Sequence, residues 1–325
     1  MKSMPRWIAP VLWLASFALL AFGLSQVSFQ GIWESVRELS AWELVVLLLL
    51  NSGIIVLFGQ RWRVILAAQG YRIPVIAITR IRLASFGVSY FTPGPHIGGE
   101  LVQVIHLTRH HGVPAETATA SVTLDKLFEM LANFAFLAAG VSIVSINGVN
   151  GATLPWGGML PVGFLLCMPA IYLLLLWSGK RPLTVLAGRF TRAEGAMRRT
   201  TSFITGAEAQ MGEFSRNEPG AMAVAFVLSG LVWAALLGEY AFLLRFLGVR
   251  VDLVGLVTII TAARLAMLTP LPGALGALET SQTLALQALG FDPAVGLGIS
   301  LLIRGRDVAF GVAGLLWGGL LRNRL

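Results

Sequence analysis

A chain of 325 residues with 56% hydrophobic and 12% charged side chains and a mean hydropathy of +0.78 is too apolar for a soluble domain, so most of its length belongs in lipid. The formal charge of +8, carried largely by arginine, reads as cytoplasmic loops and contact with anionic lipid, not as a nucleic-acid interface. A single cysteine, Cys167, excludes an intramolecular disulfide and reads as a packing residue within an apolar run.

A membrane-crossing helix needs about 20 apolar residues, and the first such run covers 7–24. Lys2 and Arg6 before it mimic a signal peptide, but no small-residue cleavage site follows, so the run is expected to stay as a helix. Phe29, Ile32, Trp33, Val36 and Leu39 then share one helical face, which suits a segment lying on the outer surface. After a crossing at 42–59, Arg61, Arg63 and Arg72 read as a cytoplasmic connection. Residues 74–111 hold enough apolar chain for two helices but are interrupted by proline and glycine, which predicts a hairpin.

Crossings follow at 114–146 and 157–177, joined by an uncharged stretch. The linker 178–218 carries Lys180, Arg181, Arg189, Arg192, Arg198, Arg199 and Arg216 and is expected on the cytoplasmic side. Within it Met197, Thr200, Ile204, Ala207, Met211 and Phe214 recur at helical spacing, so 193–214 is either an amphipathic helix gripping anionic headgroups or a solvated linker. A crossing at 219–247, a second interrupted stretch at 251–290 and a crossing at 293–321 complete the chain. The expected fold is therefore all-α and integral to the membrane, with about six full crossings, two broken or re-entrant hairpins and both termini cytoplasmic; Arg245 and Arg250 fall on the outer side and run against the charge rule.

The interruptions repeat. Thr92-Pro93-Gly94-Pro95-His96-Ile97-Gly98-Gly99-Glu100 resembles the stretch from Thr269, Pro270, Pro272 and Gly273 through Gly276 to Glu279. The glutamates are 279 − 100 = 179 residues apart, and Pro114 and Pro293 keep the same offset, each opening a long crossing with a basic residue inside it, Lys126 or Arg304. Three crossings separate the copies, so the second is expected upside down relative to the first, with one repeat at about 42–146 and the other at about 219–321 of a single 1–325 membrane domain.

Prolines at each break leave carbonyls without amide partners, which lipid does not tolerate unless the break faces protein or a wet cavity. Helices restarting near Ile97 and Leu275 would turn free amides toward that space, a setting for phosphate or carboxylate. Gly98, Gly99 and Gly276 allow close approach; helix packing and kinking alone are the competing explanation.

Charges at membrane depth are Arg80, Arg82, Glu100, Asp125, Lys126, Glu129, Glu239, Arg264, Glu279, Arg304, Arg306 and Asp307. Each costs roughly 2.5–3.5 kcal/mol if it faces lipid at helix centre, so most must pair or face water. Asp125 beside Lys126, and Arg304 with Asp307, read as local pairs. Around a shared cavity, Lys126, Arg264 and Arg304 suit a lipid phosphate, and Glu100 and Glu279 a cationic headgroup or a proton. His106 and His110 share a helical face without further ligands and predict no metal. Neither a phosphate-binding loop nor a nucleophile–base pair is visible, so no cofactor and no catalysis are expected.

The stretches Thr92–Glu100, Gly112–Lys126, Leu268–Glu279 and Gly290–Asp307 resemble the transmembrane domain of the lysylphosphatidylglycerol synthase/flippase family, which includes hopanoid-associated and stand-alone membrane proteins. The resemblance implies a lipid-translocating domain whose motif positions here are Thr92, Pro93, Gly98, Gly99 and Glu100, then Pro272, Gly273, Gly276, Glu279 and Arg304. Asp125, Lys126, Arg264, Thr269, Pro270 and Asp307 complete the candidate substrate-binding set. Two-domain members add a soluble aminoacyl-transferring domain; this chain ends at Leu325, so synthase activity is expected to be absent. The expected function is a flippase moving a phospholipid or related amphipath across a bacterial-type inner membrane. Anionic or aminoacylated phospholipid and hopanoid are the candidate partners. A non-translocating accessory of hopanoid or lipid-linked glycan traffic and an integral-membrane lipid transferase are the alternatives. The oligomeric state stays open, a homodimer being one option.

Overall fold

A computed structural model describes residues 40–91, 98–147, 159–188, 196–269, 271 and 274–322. The expected crossing at 7–24 and the interfacial segment at 29–39 lie outside them. Among the described residues every element is a helix: α1 (Ala41–Ala68), α2 (Val75–Phe91), α3 (Gly99–His111), α4 (Ala115–Asn147), α5 (Met159–Trp177), α6 (Pro182–Gly188), α7 (Ala196–Asn217), α8 (Pro219–Phe246), α9 (Leu253–Met267), α10 (Ala277–Ala288) and α11 (Pro293–Arg322).

Local signals set many of these ends. The Ser40 amide and hydroxyl donate to the Glu43 carboxylate at 2.8 and 2.7 Å before α1, and Asp252 accepts from the Gly255 amide at 2.8 Å before α9. Pro219 opens α8, where a missing amide costs nothing. Gly112 ends α3 at φ 64°, in the left-handed region that favours glycine.

Among the described residues four helices, α1, α4, α5 and α8, are long and apolar enough to cross a membrane. The 30-residue α11 is as long but carries Arg304, Arg306 and Asp307 near its middle. Large apolar side chains such as Leu49, Leu160, Phe164 and Val227 stand outward on the crossing helices. Cys167 is also exposed, on α5, which corrects its reading as a packing residue.

α1 corrects a second expectation by running to Ala68 instead of ending before a basic loop. Arg61 is therefore not a cytoplasmic loop residue but is 1% exposed inside the helix, held there by a carboxylate on α4.

Two apolar cores correspond to the two halves of the chain. Trp62, Ile78, Ile81, Leu107 and Val122 join α1 to α4, and Leu244, Ile260, Leu278, Leu286 and Ile299 join α8 to α11. The halves interlock in a reciprocal way: α1 packs on α8, α2 on α11, and α9 on α4. The α2–α11 contact is so close that a Cβ on Gly314 would run into the Leu83 carbonyl oxygen, and one on Gly87 would lie 2.5 Å from the Gly311 carbonyl oxygen.

In the basic linker, Met211 and Phe214 of α7 pack with Phe128, Leu173 and Leu176, and Ala207 is buried on the same helix. The apolar face expected to meet either headgroups or solvent is instead spent on α4 and α5. Glu208 clamps the linker: completely buried, it accepts from Tyr172 Oη at 3.1 Å and from the Leu183 and Thr184 amides at 2.9 and 2.6 Å.

Candidate functional site

Each interrupted stretch resumes as a helix behind a glycine with positive φ, Gly98 at 124° before α3 and Gly276 at 79° before α10. The first glutamate of each helix folds back onto that glycine. Glu100 Oε2 accepts from the Gly98 amide at 3.1 Å, and Glu279 Oε2 from the Gly276 amide at 2.8 Å. A carboxylate there satisfies an amide with no helical partner and sits favourably at the positive end of the dipole.

The other carboxylate oxygen meets a cation from the next long helix. Lys126 Nζ stands 3.8 Å from Glu100 Oε1, and Arg304 Nε stands 2.8 Å from Glu279 Oε1. Three residues further on, a glutamine ties each helix to the one before the break: Gln103 Nε2 donates to Ser85 Oγ at 2.9 Å, and Gln282 Nε2 to the Ile259 carbonyl at 3.1 Å. The sequence reading missed both glutamines, although Glu-x-x-Gln recurs in the two copies.

The two glutamate–cation pairs differ in closure. Glu279 is 4% and Arg304 13% exposed, with a second contact from Arg304 Nη2 to Glu279 Oε2 at 3.3 Å. Glu100 and Lys126 are 34% and 42% exposed and do not close to hydrogen-bond distance.

Buried charges elsewhere pair across long sequence separations. Asp125 binds Arg61 at 2.7 Å and also Arg82, while Glu129 takes Lys126 at 2.9 Å and faces Arg61 at 3.5 Å. Arg306 binds Glu239, Asp307 at 2.8 Å and Asn51 Oδ1 at 2.8 Å. The expected Asp125 with Lys126 and Arg304 with Asp307 pairs are thus corrected. Adjacent helical residues point apart, and Arg304 is already committed to Glu279.

These groups surround one cavity of about 340 Å³ between the halves. Of the candidate residues, Glu100, Asp125, Lys126, Arg264, Arg304 and Asp307 line it, joined by Arg82, Glu129, Glu239 and Arg306, so the wall carries five cations and five carboxylates. The last four were visible as charges at membrane depth but lay outside the positions aligned between the two interrupted stretches. Glu279 sits behind Arg304, off the wall, and Thr269 turns its hydroxyl back to the Ala266 carbonyl at 2.6 Å. Gly98, Gly99 and Gly276 set the helix starts and do not line the cavity. Thr92, Pro93, Pro270, Pro272 and Gly273 lie outside the described residues.

Arg264 stands apart on this wall. Among the described residues it has no carboxylate within ion-pair distance; its guanidinium lies 4.9 Å from the Trp233 ring centroid, and that indole stacks on Phe136 at 4.1 Å. Histidine contributes nothing comparable: His106 Nδ1 lies 3.2 Å from the Val102 carbonyl, and no group of three metal-ligating side chains exists among the described residues.

The family described as the lysylphosphatidylglycerol synthase TM region matches residues 7–314, which takes in both breaks and the whole cavity. The chain belongs to that family. No curated protein matches it. With four crossing-length apolar helices, membership in this family makes the chain a multi-pass membrane protein with a lipid-related role.

Proposed function

We propose that the protein is a lipid flippase, moving a phospholipid or related amphipath between leaflets through the charged cavity. The observation that carries the reading is Arg264: a guanidinium on the wall of the cavity, held over an indole and, among the described residues, bound to no carboxylate. The other wall cations pair with acids, so among the described residues Arg264 is the wall cation suited to take a phosphate without first breaking an ion pair. The loose Glu100–Lys126 pair provides a second polar contact that a headgroup exchanges into at little cost.

The reading includes an inverted repeat, with the cavity at its interface. Supporting it are the matched glycine–glutamate–cation starts of α3 and α10, the matched glutamines, and the reciprocal packing of α2 on α11 and α9 on α4. The protein works as a transporter without a catalytic step, in a bacterial-type inner membrane, with both termini inside.

Reconstitution into vesicles with phospholipids labelled on several headgroups tests this. Protein-dependent movement of at least one headgroup class, slowed by Glu100→Gln, is expected; no movement of any class rejects the reading. Topology has its own test: single cysteines placed near Gly112 and Gly290, in a Cys167→Ala background, label from opposite sides if the repeat is inverted and from one side if it is not.

A further inference from the structure

A second cavity of about 360 Å³ adjoins the charged one. Leu44, Leu47 and Leu48 of α1, Leu243 of α8, and Leu301 and Leu302 of α11 form its apolar walls. Among the described residues α1 packs on α8 and α11 packs on α2, and the groove lies in the seam between α1 and α11. Leu44, Leu48 and Leu301, at 47%, 55% and 46% exposed, put the groove's rim on the outward apolar surface of the helices.

At its inner end the lining changes character within one helical turn, from Leu47 to Asn51. Asn51, Glu239 and Arg306 belong to the walls of both cavities and bond to one another there through Arg306. An apolar groove thus runs from the lipid-facing surface to a polar sill, with the charged cavity beyond it. The same discontinuity divides an amphipathic lipid into chain and headgroup.

One atom at the sill lacks a partner among the described residues. Glu239 is 2% exposed, its Oε1 is taken by Arg306, and its Oε2 is buried with no hydrogen bond to any described residue. A buried carboxylate oxygen in that state is destabilising until a donor reaches it.

We propose that the groove between α1, α8 and α11 binds a hydrocarbon chain of the lipid whose headgroup occupies the charged cavity, with Glu239 Oε2 accepting an O–H or N–H from the polar end of that lipid. This rests on the flippase reading. The seam is then the lateral doorway through which the lipid passes from the bilayer to the cavity.

The test uses the full chain in vesicles of phosphatidylglycerol and phosphatidylethanolamine doped with a phospholipid that carries a diazirine midway along one chain. After photolysis, the label is expected on the groove segments around Leu48 and Leu301. Leu48→Trp with Leu301→Trp fills the groove at half-exposed positions and is expected to abolish that label and slow lipid movement. Leu174→Trp, on an outward face of α5, should change neither. Label spread over the outward faces of α5 and α8, and unaltered by filling the groove, overturns the proposal. If the filled variant does not fold, the wild-type label map decides alone. The two readings fail separately: movement at the wild-type rate in the filled variant rejects the doorway and leaves the flippase. A groove label with no lipid movement by the wild type rejects the flippase and keeps the chain site.

Discussion

Arg61 on α1 and Glu239 on α8 are buried charges of opposite sign on two helices that pack against each other. They are 239 − 61 = 178 residues apart, the offset that also separates Asn51 from Ser229. Arg61 reaches the acids of α4 and donates to Ser229 Oγ on α8 at 3.2 Å; Glu239 receives Arg306 of α11, which donates to Asn51 on α1. Each half therefore places a buried charge across the α1–α8 contact, with the signs exchanged.

Removing one member of such a buried network leaves its partner charged in low dielectric. Arg61→Ala is expected to cost about 3–5 kcal/mol, whereas Ser229→Ala, which removes one hydroxyl acceptor, should cost about 1 kcal/mol. Denaturation in detergent, followed on both variants, should rank them in that order.

Glu100 and Glu279 are matched in position and unequal in burial, so the same substitution should separate structure from function. Glu279→Gln breaks an enclosed, two-contact pair with Arg304 and is expected to destabilise the protein by about 3 kcal/mol. Glu100→Gln alters a half-open pair and should change stability by no more than about 1 kcal/mol while slowing lipid movement. Parallel thermal melts and transport rates read both effects.

Gly99 is required by closeness. A Cβ there would collide with the Ser85 carbonyl oxygen and with the Ser85 and Ser89 hydroxyls, while one on Gly163 of α5 would meet nothing within 4 Å. Gly99→Ala should therefore destabilise the α2–α3 contact by about 1–3 kcal/mol, with Gly163→Ala near neutral in the same thermal-melt series.

Glu208 holds α6 by two amides and α5 by a tyrosine hydroxyl. Glu208→Ala should free the segment around Lys180 and Arg181 without unfolding the bundle. Limited trypsin digestion is expected to cut there faster than in the wild type, and equal digestion rates would show that the clamp is dispensable.

Apolar runs located several helices closely: 114–146 became Ala115–Asn147, 219–247 became Pro219–Phe246, and 293–321 became Pro293–Arg322. The same rule failed at Arg61, because it stops at a charge and has no knowledge of Asp125, 64 residues later in the chain, which lets the helix continue. The charges lining the cavity were also visible at membrane depth. Their partners were not: pairing depends on which helices meet, and neighbours in sequence such as Asp125 and Lys126 turned to different helices. Glu239 and Arg306 escaped the site reading because the halves were aligned only at the proline–glycine breaks and at Pro114/Pro293 and Lys126/Arg304 beyond them. The 178-residue offset along α1 and α8 would have brought Glu239 forward.

The initial rate of phospholipid movement in vesicles, compared between wild type and Arg264→Gln, tests the central claim most directly. If the cavity carries the headgroup and Arg264 holds its phosphate, the wild type moves labelled lipid and the variant does so at least about tenfold more slowly, an effect of about 1.4 kcal/mol. Equal rates in the two proteins, or no movement by the wild type, would contradict the account.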